Sequence, residues 1–491
     1  MEILDYDVLI LGSGIAGLTA AIHAHRGSKG RVSIAVVSKL HVMRSHSVAA
    51  EGGISGVLYP GLDNDTEKLH AYDTVKGSDY LADQDAVDVL VKGAPNEIKF
   101  FDHIGVPWNR REEGKIMQRP FGGMSVPRTA FAADKTGFFM MRALYDEVLS
   151  YKDVTIFNEH FATSLIIKKG AGSGFVAIDL ATGTTKAFRS KSLIIATGGA
   201  SRVYGFTTNS YSNTGDGTAM AYRAGLPLKD MEFVQFHPTA LIPSGILITE
   251  AARGEGGYLV NSEGKRFMEN YAKSKMELAP RDIVSRSIIT EINQGRGFTD
   301  RESGLKYVHL DLRHLDSKKI DERLPMIKEI TIKMLKLDPS EEPIPIRPAT
   351  HFTMGGIHTD INGRVMLDKD KASVGIWAAG ECACVSVHGA NRLGSNSLSQ
   401  CSVWGRITGT EAARHAESGG RISRKDFEEI AEREAAKVDI IFEGTGDVNP
   451  YEIRDQLHDT MDNHMYVYRN MKEMKIISEV AKCSLNMVTS L

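Results

Sequence analysis

The hexapeptide Gly12-Ser13-Gly14-Ile15-Ala16-Gly17 constrains this chain more than any other segment. It follows a short apolar run, Asp7–Leu11, and opens a stretch, Ile15–Arg26, in which small and apolar residues recur at helical spacing. Val32–Val37 then reads as a second strand. Strand, helix and strand in so short a span begin a doubly wound sheet of parallel strands. Gly12 permits the tight turn, Gly14 lets the backbone approach a pyrophosphate, and Gly17 lets helix and strand pack closely. The free N–H groups of the helix start then face the phosphates. Gly12, Gly14, Ala16 and Gly17 are therefore candidate dinucleotide contacts.

Later strand ends favour FAD over NAD. Ser192–Ala196 is a buried apolar run ending in Thr197-Gly198-Gly199, and Gly375–Ala379 ends in Gly380-Glu381. Both read as returns of the chain to one cofactor. An acidic residue usually grips the ribose at the end of the second strand; here that place holds Ser38 and Lys39. A serine hydroxyl can make the same hydrogen bond.

The texture changes from about His237 to Pro345, where helical patterns, charged turns and a strand-like Tyr307–Leu312 carry no further glycine fingerprint. The division expected is an FAD-binding domain in two parts, 1–236 and 346–415, an inserted capping domain for substrate, 237–345, and a helical C-terminal region, 416–491. The fold class is α/β: a Rossmann-like FAD domain with an inserted α+β cap and C-terminal helices.

A length of 491 residues suits two or three domains. The formal net charge of −3 gives no basic footprint for nucleic acid. No apolar run reaches the roughly 18 residues a membrane span needs. The start, MEILDYDVLIL, reads as a strand entry and not a signal peptide, so a cytoplasmic protein is expected. Cys382, Cys384, Cys401 and Cys483 do not match zinc or iron–sulfur spacing. They read as free thiols, with no metal site, and any iron–sulfur centre belongs to another polypeptide.

The segment Arg44-Ser45-His46-Ser47-Val48-Ala49-Ala50-Glu51-Gly52-Gly53-Ile54 resembles the flavin-attachment segment of the fumarate reductase and succinate dehydrogenase flavoproteins. Further blocks resemble that family in the family's order. They include Ala132–Gly137, Thr214–Gly217, Gln235–Thr239, Arg253–Gly257, Ala279–Asp282, His351–Gly356 and His388–Leu393. The resemblance implies FAD held covalently by His46, with Ser47, Glu51, Gly52, Gly53, Asp216, Glu381, Ser397 and Leu398 as further cofactor contacts. Ser397 and Leu398 would act through backbone amides at a helix start.

It also implies His237, Thr249, His351 and Arg392 around the two carboxylates of a small dicarboxylate. These types fit physically, since His and Thr donate hydrogen bonds and Arg offers a planar fork. Proton transfer falls to Arg281, with Glu250 and Arg253 as relay; on a helix their spacing puts both on one face. Arginine is a poor base in solution, so the relay is needed. Cap closure would complete the site. His388 and Asn391 would fix the loop presenting Arg392.

The implied partners are an iron–sulfur subunit and, through it, membrane anchor subunits, with the chain peripheral on the cytoplasmic face. Glu51 stands where many succinate dehydrogenases have glutamine, and a carboxylate near the flavin should lower its potential. With Val308–Leu315 and Glu342–Pro348, this leans to fumarate reduction. Met461–Arg469 resembles the start of the family's helical domain, which is usually longer than in this chain. The alternatives are an L-aspartate oxidase-like flavoenzyme, which lacks the flavin-linked histidine, and a non-catalytic flavin-binding scaffold.

Overall fold

A computed structural model describes residues 1–444 and 449–489, the side chains of 483–489 excepted. Cys483 thus lies outside the described side chains.

Five parallel strands form one side of a ten-stranded sheet, in the order Ala372–Ala378, Ser192–Ile195, Val8–Leu11, Ile34–Val37 and Val154–Phe157. Their apolar runs are continuous because both faces are covered. Val8 and Ile10 enter one core with Ile15, Leu18 and Ile22 of the helix Ile15–Ser28 and with Met140 and Leu144 of the helix Thr136–Leu149. Leu9 and Leu11 enter the opposite core with Phe175, Phe188 and Leu193. The second strand begins at Ile34, not Val32, because Asp7 and Ser33 exchange hydrogen bonds there (Ser33 N to Asp7 Oδ2, 3.0 Å). The strand expected at Gly375–Ala379 begins at Ala372, where it pairs with Arg364–Met366 as a hairpin. An antiparallel ribbon, His160–Lys168, Ala171–Asp179 and Thr185–Arg189, roofs the second face and pairs with Glu2–Asp5 at its edge.

The helix Asn396–Ser418 lies against Ile15–Ser28. A Cβ on Gly409 would stand 2.2 Å from the Ala20 carbonyl oxygen, so only glycine permits that approach. This contact aims the N-terminus of the long helix at the same sheet edge as the Gly12–Gly17 turn.

Between Ser192–Ile195 and Ala372–Ala378 the chain builds a second, antiparallel sheet. Its strands run Val234–Leu241, Ile344–Thr353, Lys306–Asp311 and Tyr258–Val260. The helix Arg281–Asn293 packs Val284, Ile288 and Ile292 onto Leu259, Leu310 and Ile346. The first two strands pair from Val234 with Thr353 to Leu241 with Ile346, so His237 falls inside that pairing, and Pro345, just beyond it, pairs with His309.

Three helices follow, Arg424–Glu443, Pro450–His464 and Met471–Thr489. The first seats Phe427 and Ala431 on the ribbon. The second reaches the loop before the site: Phe206 N donates to Asp462 Oδ2 at 3.0 Å.

Candidate active site

A cavity of about 470 Å³ opens at the carboxyl ends of the parallel strands and runs on beneath the second sheet. Such ends are where open α/β sheets bind their ligands. Gly12, Gly14, Ala16, Ser38, Lys39, His46, Ser47, Glu51, Gly52, Gly53, Asp216, Glu381, Ser397 and Leu398 all line it. Gly17 does not; it faces Gly12, whose carbonyl oxygen would lie 2.0 Å from an added Cβ. Gly12 itself has φ +112°, and a Cβ there would strike Ala196 O at 2.1 Å. Ser38 and Ser13 share a hydrogen bond of 2.6 Å, and Lys39 Nζ pairs with Asp216 Oδ2 at 2.5 Å across the rim. Ser397 and Leu398 occupy the first turn of Asn396–Ser418, whose N–H groups have no partner in the helix.

His46 sits on a short 3₁₀ turn, His46–Ala49. Its Nδ1 accepts the N–H of Ser210 at 3.3 Å, which places the proton of the neutral ring on Nε2. The ring keeps some surface toward the cavity, yet enough protein surrounds it that burial lowers its pKa to about 4. The neutral ring lines the cavity, and its Nε2 becomes the nucleophile for alkylation once the proton it carries has left.

Glu51 is buried in the cavity wall. Burial, reinforced by Asp134, raises its carboxyl well above the usual range, against the pull of Arg119 and the Thr249 N–H. Its Oε2 has no partner. Burial thus favours the uncharged form of this group over the carboxylate.

One end of the cavity gathers cations and donors. The rings of His237 and His351 lie 5.0 Å apart. Burial first, then Arg281 and Arg392 nearby, push both well below an ordinary histidine, so both are neutral. The Thr239 N–H donates to His237 Nδ1 at 3.3 Å, leaving Nε2–H to point elsewhere. His351 Nδ1 meets Thr208 Oγ1 at 2.7 Å. Arg392 lies over the Phe352 ring at 4.4 Å, donates from Nη1 to Ser397 Oγ at 3.1 Å, and keeps Nε unpartnered. Thr249 caps the helix Glu250–Gly254 by accepting the Ala251 N–H, so its hydroxyl proton stays available. An orphaned guanidinium nitrogen, two neutral imidazoles and a hydroxyl suit the oxygens of carboxylates.

Arg281 opens the helix Arg281–Asn293 and reaches the same end. Its Nε donates to Glu250 Oε2 at 2.7 Å and its Nη1 to Gln235 Oε1 at 3.0 Å. Burial would raise Glu250, but Arg281 and Arg253 overcome it and hold the carboxyl below its usual value. Gly122 N–H also donates to Glu250, at 2.5 Å. Arg253 stands behind the wall, 3.6 Å from Glu250 Oε2, on the helical i, i+3 pair expected.

Sequence reasoning assigned no role to Gln235. Its amide donates to Asn391 Oδ1 and to the Arg392 carbonyl, both at 2.7 Å, tying Arg281 to the loop that carries Arg392. It lies two positions before His237, and that adjacency was the available signal. Ser210 was missed too, since a loop amide leaves no mark in a sequence. Asn391 also donates to Gly77 O, and His388 Nε2 meets Gln400 Oε1 at 2.9 Å, so both brace the loop. Cys382 and Cys384 are buried and donate to Ile195 O and Asp230 Oδ2. Burial lifts the Cys384 and Cys401 thiols to about 12, which leaves them inert.

The sequence matches the FAD binding domain family over residues 7–398. It is 43% identical to the fumarate reductase flavoprotein subunit of Mycobacterium tuberculosis, over 97% of this chain and 83% of that protein. It is 44% identical to the succinate dehydrogenase flavoprotein subunit of Rickettsia bellii, over 97% of this chain and 81% of that one. The fold superposes on the FrdA chain of Escherichia coli quinol fumarate reductase with a TM-score of 0.94 at 40% identity, covering 99% of this chain and 83% of the other. With this cavity, these likenesses make the chain an FAD-dependent oxidoreductase, and it belongs to the family of fumarate reductase and succinate dehydrogenase flavoprotein subunits.

Proposed function

We propose that the chain interconverts succinate and fumarate on an FAD attached to Nε2 of His46. The observation that carries this reading is Arg281, held by Glu250 and Gln235 in the same cavity as His46, Arg392 and two neutral histidines. When bound, FAD supplies or accepts hydride at its N5. Gly12, Gly14, Ala16, Ser38, Lys39 and Asp216 hold its nucleotide part, with Gly17 closing helix onto strand. Ser47, Glu51, Gly52, Gly53, Glu381, Ser397 and Leu398 surround its ring system. The unpartnered Glu51 Oε2 and Ser395 Oγ, both buried, fit polar ring edges.

Arg392 and His351, with His237 and Thr249, bind the two carboxylates of the substrate. Neutral histidines donate without adding charge, so the dicarboxylate meets two guanidiniums and is not overcompensated. Arg281 gives a proton to the substrate carbon in fumarate reduction and takes it in succinate oxidation. Glu250, kept anionic, returns the proton, and Arg253 backs it. The elements from about 237 to 345 form the cap that carries Arg281 and excludes water.

Fumarate reduction is the direction we assign, on Val308–Leu315 and Glu342–Pro348. The electron partner is an iron–sulfur subunit, since the relatives are named as flavoprotein subunits and a hydride site needs a one-electron outlet. Anchor subunits would hold that pair to the cytoplasmic face. No helix among the described residues is long and apolar enough to cross a membrane.

The test is acid precipitation of the purified chain, with parallel assays on succinate, fumarate and L-aspartate. Yellow protein pellets and turnover of the C4 diacids support the reading. Flavin left in the supernatant with oxidation of L-aspartate supports the aspartate oxidase alternative instead. The complete substrate and relay set stands against a non-catalytic scaffold.

A further inference from the structure

The proton relay proposed above ends, at Arg253, inside the protein. Arg253 is fully buried, and neither its Nε nor its Nη2 has a hydrogen-bond partner. Its Nη1 donates to the backbone carbonyl of Glu277 at 2.5 Å. A relay that turns over must exchange protons with water, so something has to join Arg253 to the surface.

Glu277 stands at that point. Its side chain is buried, and its carboxylate grips Arg266 as a fork, Nε to Oε1 at 2.9 Å and Nη2 to Oε2 at 2.6 Å. The Leu259 N–H donates to Oε1 at 3.2 Å. Arg266 has 37% of its side chain exposed and lies over the Tyr258 ring at 3.8 Å. Charge thus alternates from cavity to solvent: Arg281, Glu250, Arg253, Glu277, Arg266. Glu277 is also four residues before Arg281, so the two legs share one short segment.

We propose that Glu277 and Arg266 form the outer leg through which Arg253 exchanges protons with solvent. This rests on the assignment of Arg281 as proton donor. In fumarate reduction, Arg281 loses one guanidinium proton to the substrate carbon while both electrons arrive as hydride from the flavin. Glu250 passes a proton from Arg253 to Arg281. Arg253 is recharged through Glu277, a water bridging the carboxylate and the unpartnered N–H groups, from solvent beside Arg266. One proton enters per two-electron reduction, and every side chain recovers its charge. Glu277 is a positioning and transfer residue and touches no substrate.

The experiment uses the flavin-loaded chain, with reduced methyl viologen as donor and fumarate as acceptor. Glu277→Gln should lower kcat about 10-fold or more. The KM for fumarate, the affinity for unreactive malonate measured by calorimetry, and flavin content should stay unchanged. Its solvent deuterium isotope effect should rise, and Glu277→Asp should recover part of the rate. A kcat within twofold of the parent overturns the proposal, as does malonate affinity falling in step with kcat. Glu250→Gln separates the two levels. If it keeps full activity, the inner relay is wrong and the outer leg falls with it; if it is inactive while Glu277→Gln is unaffected, only the outer leg falls. Should Glu277→Gln not fold, Arg266→Gln, on a half-exposed side chain, carries the same expectation.

Discussion

Arg281 and Glu250 share one hydrogen bond, Nε to Oε2 at 2.7 Å, with both side chains withdrawn from solvent. The bond joins two helices that start at the cavity, Arg281–Asn293 and Glu250–Gly254. Arg281 Nη1 donates to Gln235 Oε1, and the residue lines the cavity. Arg281→Lys removes the fork and leaves one mobile ammonium, which cannot hold Glu250 and Gln235 together. We expect fumarate reduction to fall by roughly 10²- to 10⁴-fold. Steady-state rates at saturating fumarate, with the malonate affinity measured beside them, check this.

His46→Ser removes the nitrogen left free by the Ser210 contact. The variant should bind FAD yet release it entirely on acid precipitation, read as flavin absorbance in the supernatant. Succinate oxidation should drop more than fumarate reduction, because the untethered flavin is the weaker oxidant.

Gln235→Leu strands two buried partners, Arg281 Nη1 and Asn391 Oδ1, and frees the Arg392 loop. Unsatisfied buried groups cost about 1–3 kcal/mol each. Urea unfolding should register a loss of that order. KM for fumarate should rise as kcat falls, because Arg392 and Arg281 lose their common brace.

Away from the site, Arg128 is wholly buried between Asp65 and Asp73, at 2.9 and 2.6 Å. Arg128→Met leaves two uncompensated carboxylates, and stability should fall by about 3–5 kcal/mol. Flavin reduction by succinate in whatever fraction remains folded should proceed at the parent rate. Denaturant unfolding and single-turnover absorbance test the two halves separately.

His70 sits in the same cluster, with Nε2 on Asn396 Oδ1 at 3.0 Å. Burial, helped by Arg128, lowers its pKa to about 4 from an ordinary 6.5. Between those values the unfolded chain binds a proton that the folded chain refuses. The stabilisation is therefore complete above pH 6.5 and is lost as pH falls toward 4, at up to about 1.4 kcal/mol per pH unit. His70→Gln should show a shallower fall in unfolding midpoint across that window.

The nucleotide half of the molecule could be read directly. The glycine turn, its strand and its helix are local, and Ser192–Ile195 and Ala372–Ala378 ended at the cavity as their glycine-rich ends implied. The ribbon His160–Arg189 was not foreseen, because its strands carry no local fingerprint, and its last strand, Thr185–Arg189, is placed by pairing with Glu2–Asp5, far away in sequence. In the site, the residue types of the substrate end were legible from their blocks. Glu51 was legible as a residue and not as a charge: its protonation depends on burial and on Asp134, 83 positions on. Gln235 bridges to positions 281, 391 and 392, and only the closed fold brings those together.

The central claim is that this cavity moves hydride between its flavin and a C4 diacid. Rapid mixing of the dithionite-reduced, flavin-loaded chain with fumarate measures it directly at the flavin absorbance band. Saturable reoxidation that fumarate drives, and that Arg281→Lys abolishes, is the predicted result. A reduced flavin that fumarate leaves untouched, or that the Arg281 variant reoxidises as fast as the parent, would contradict it.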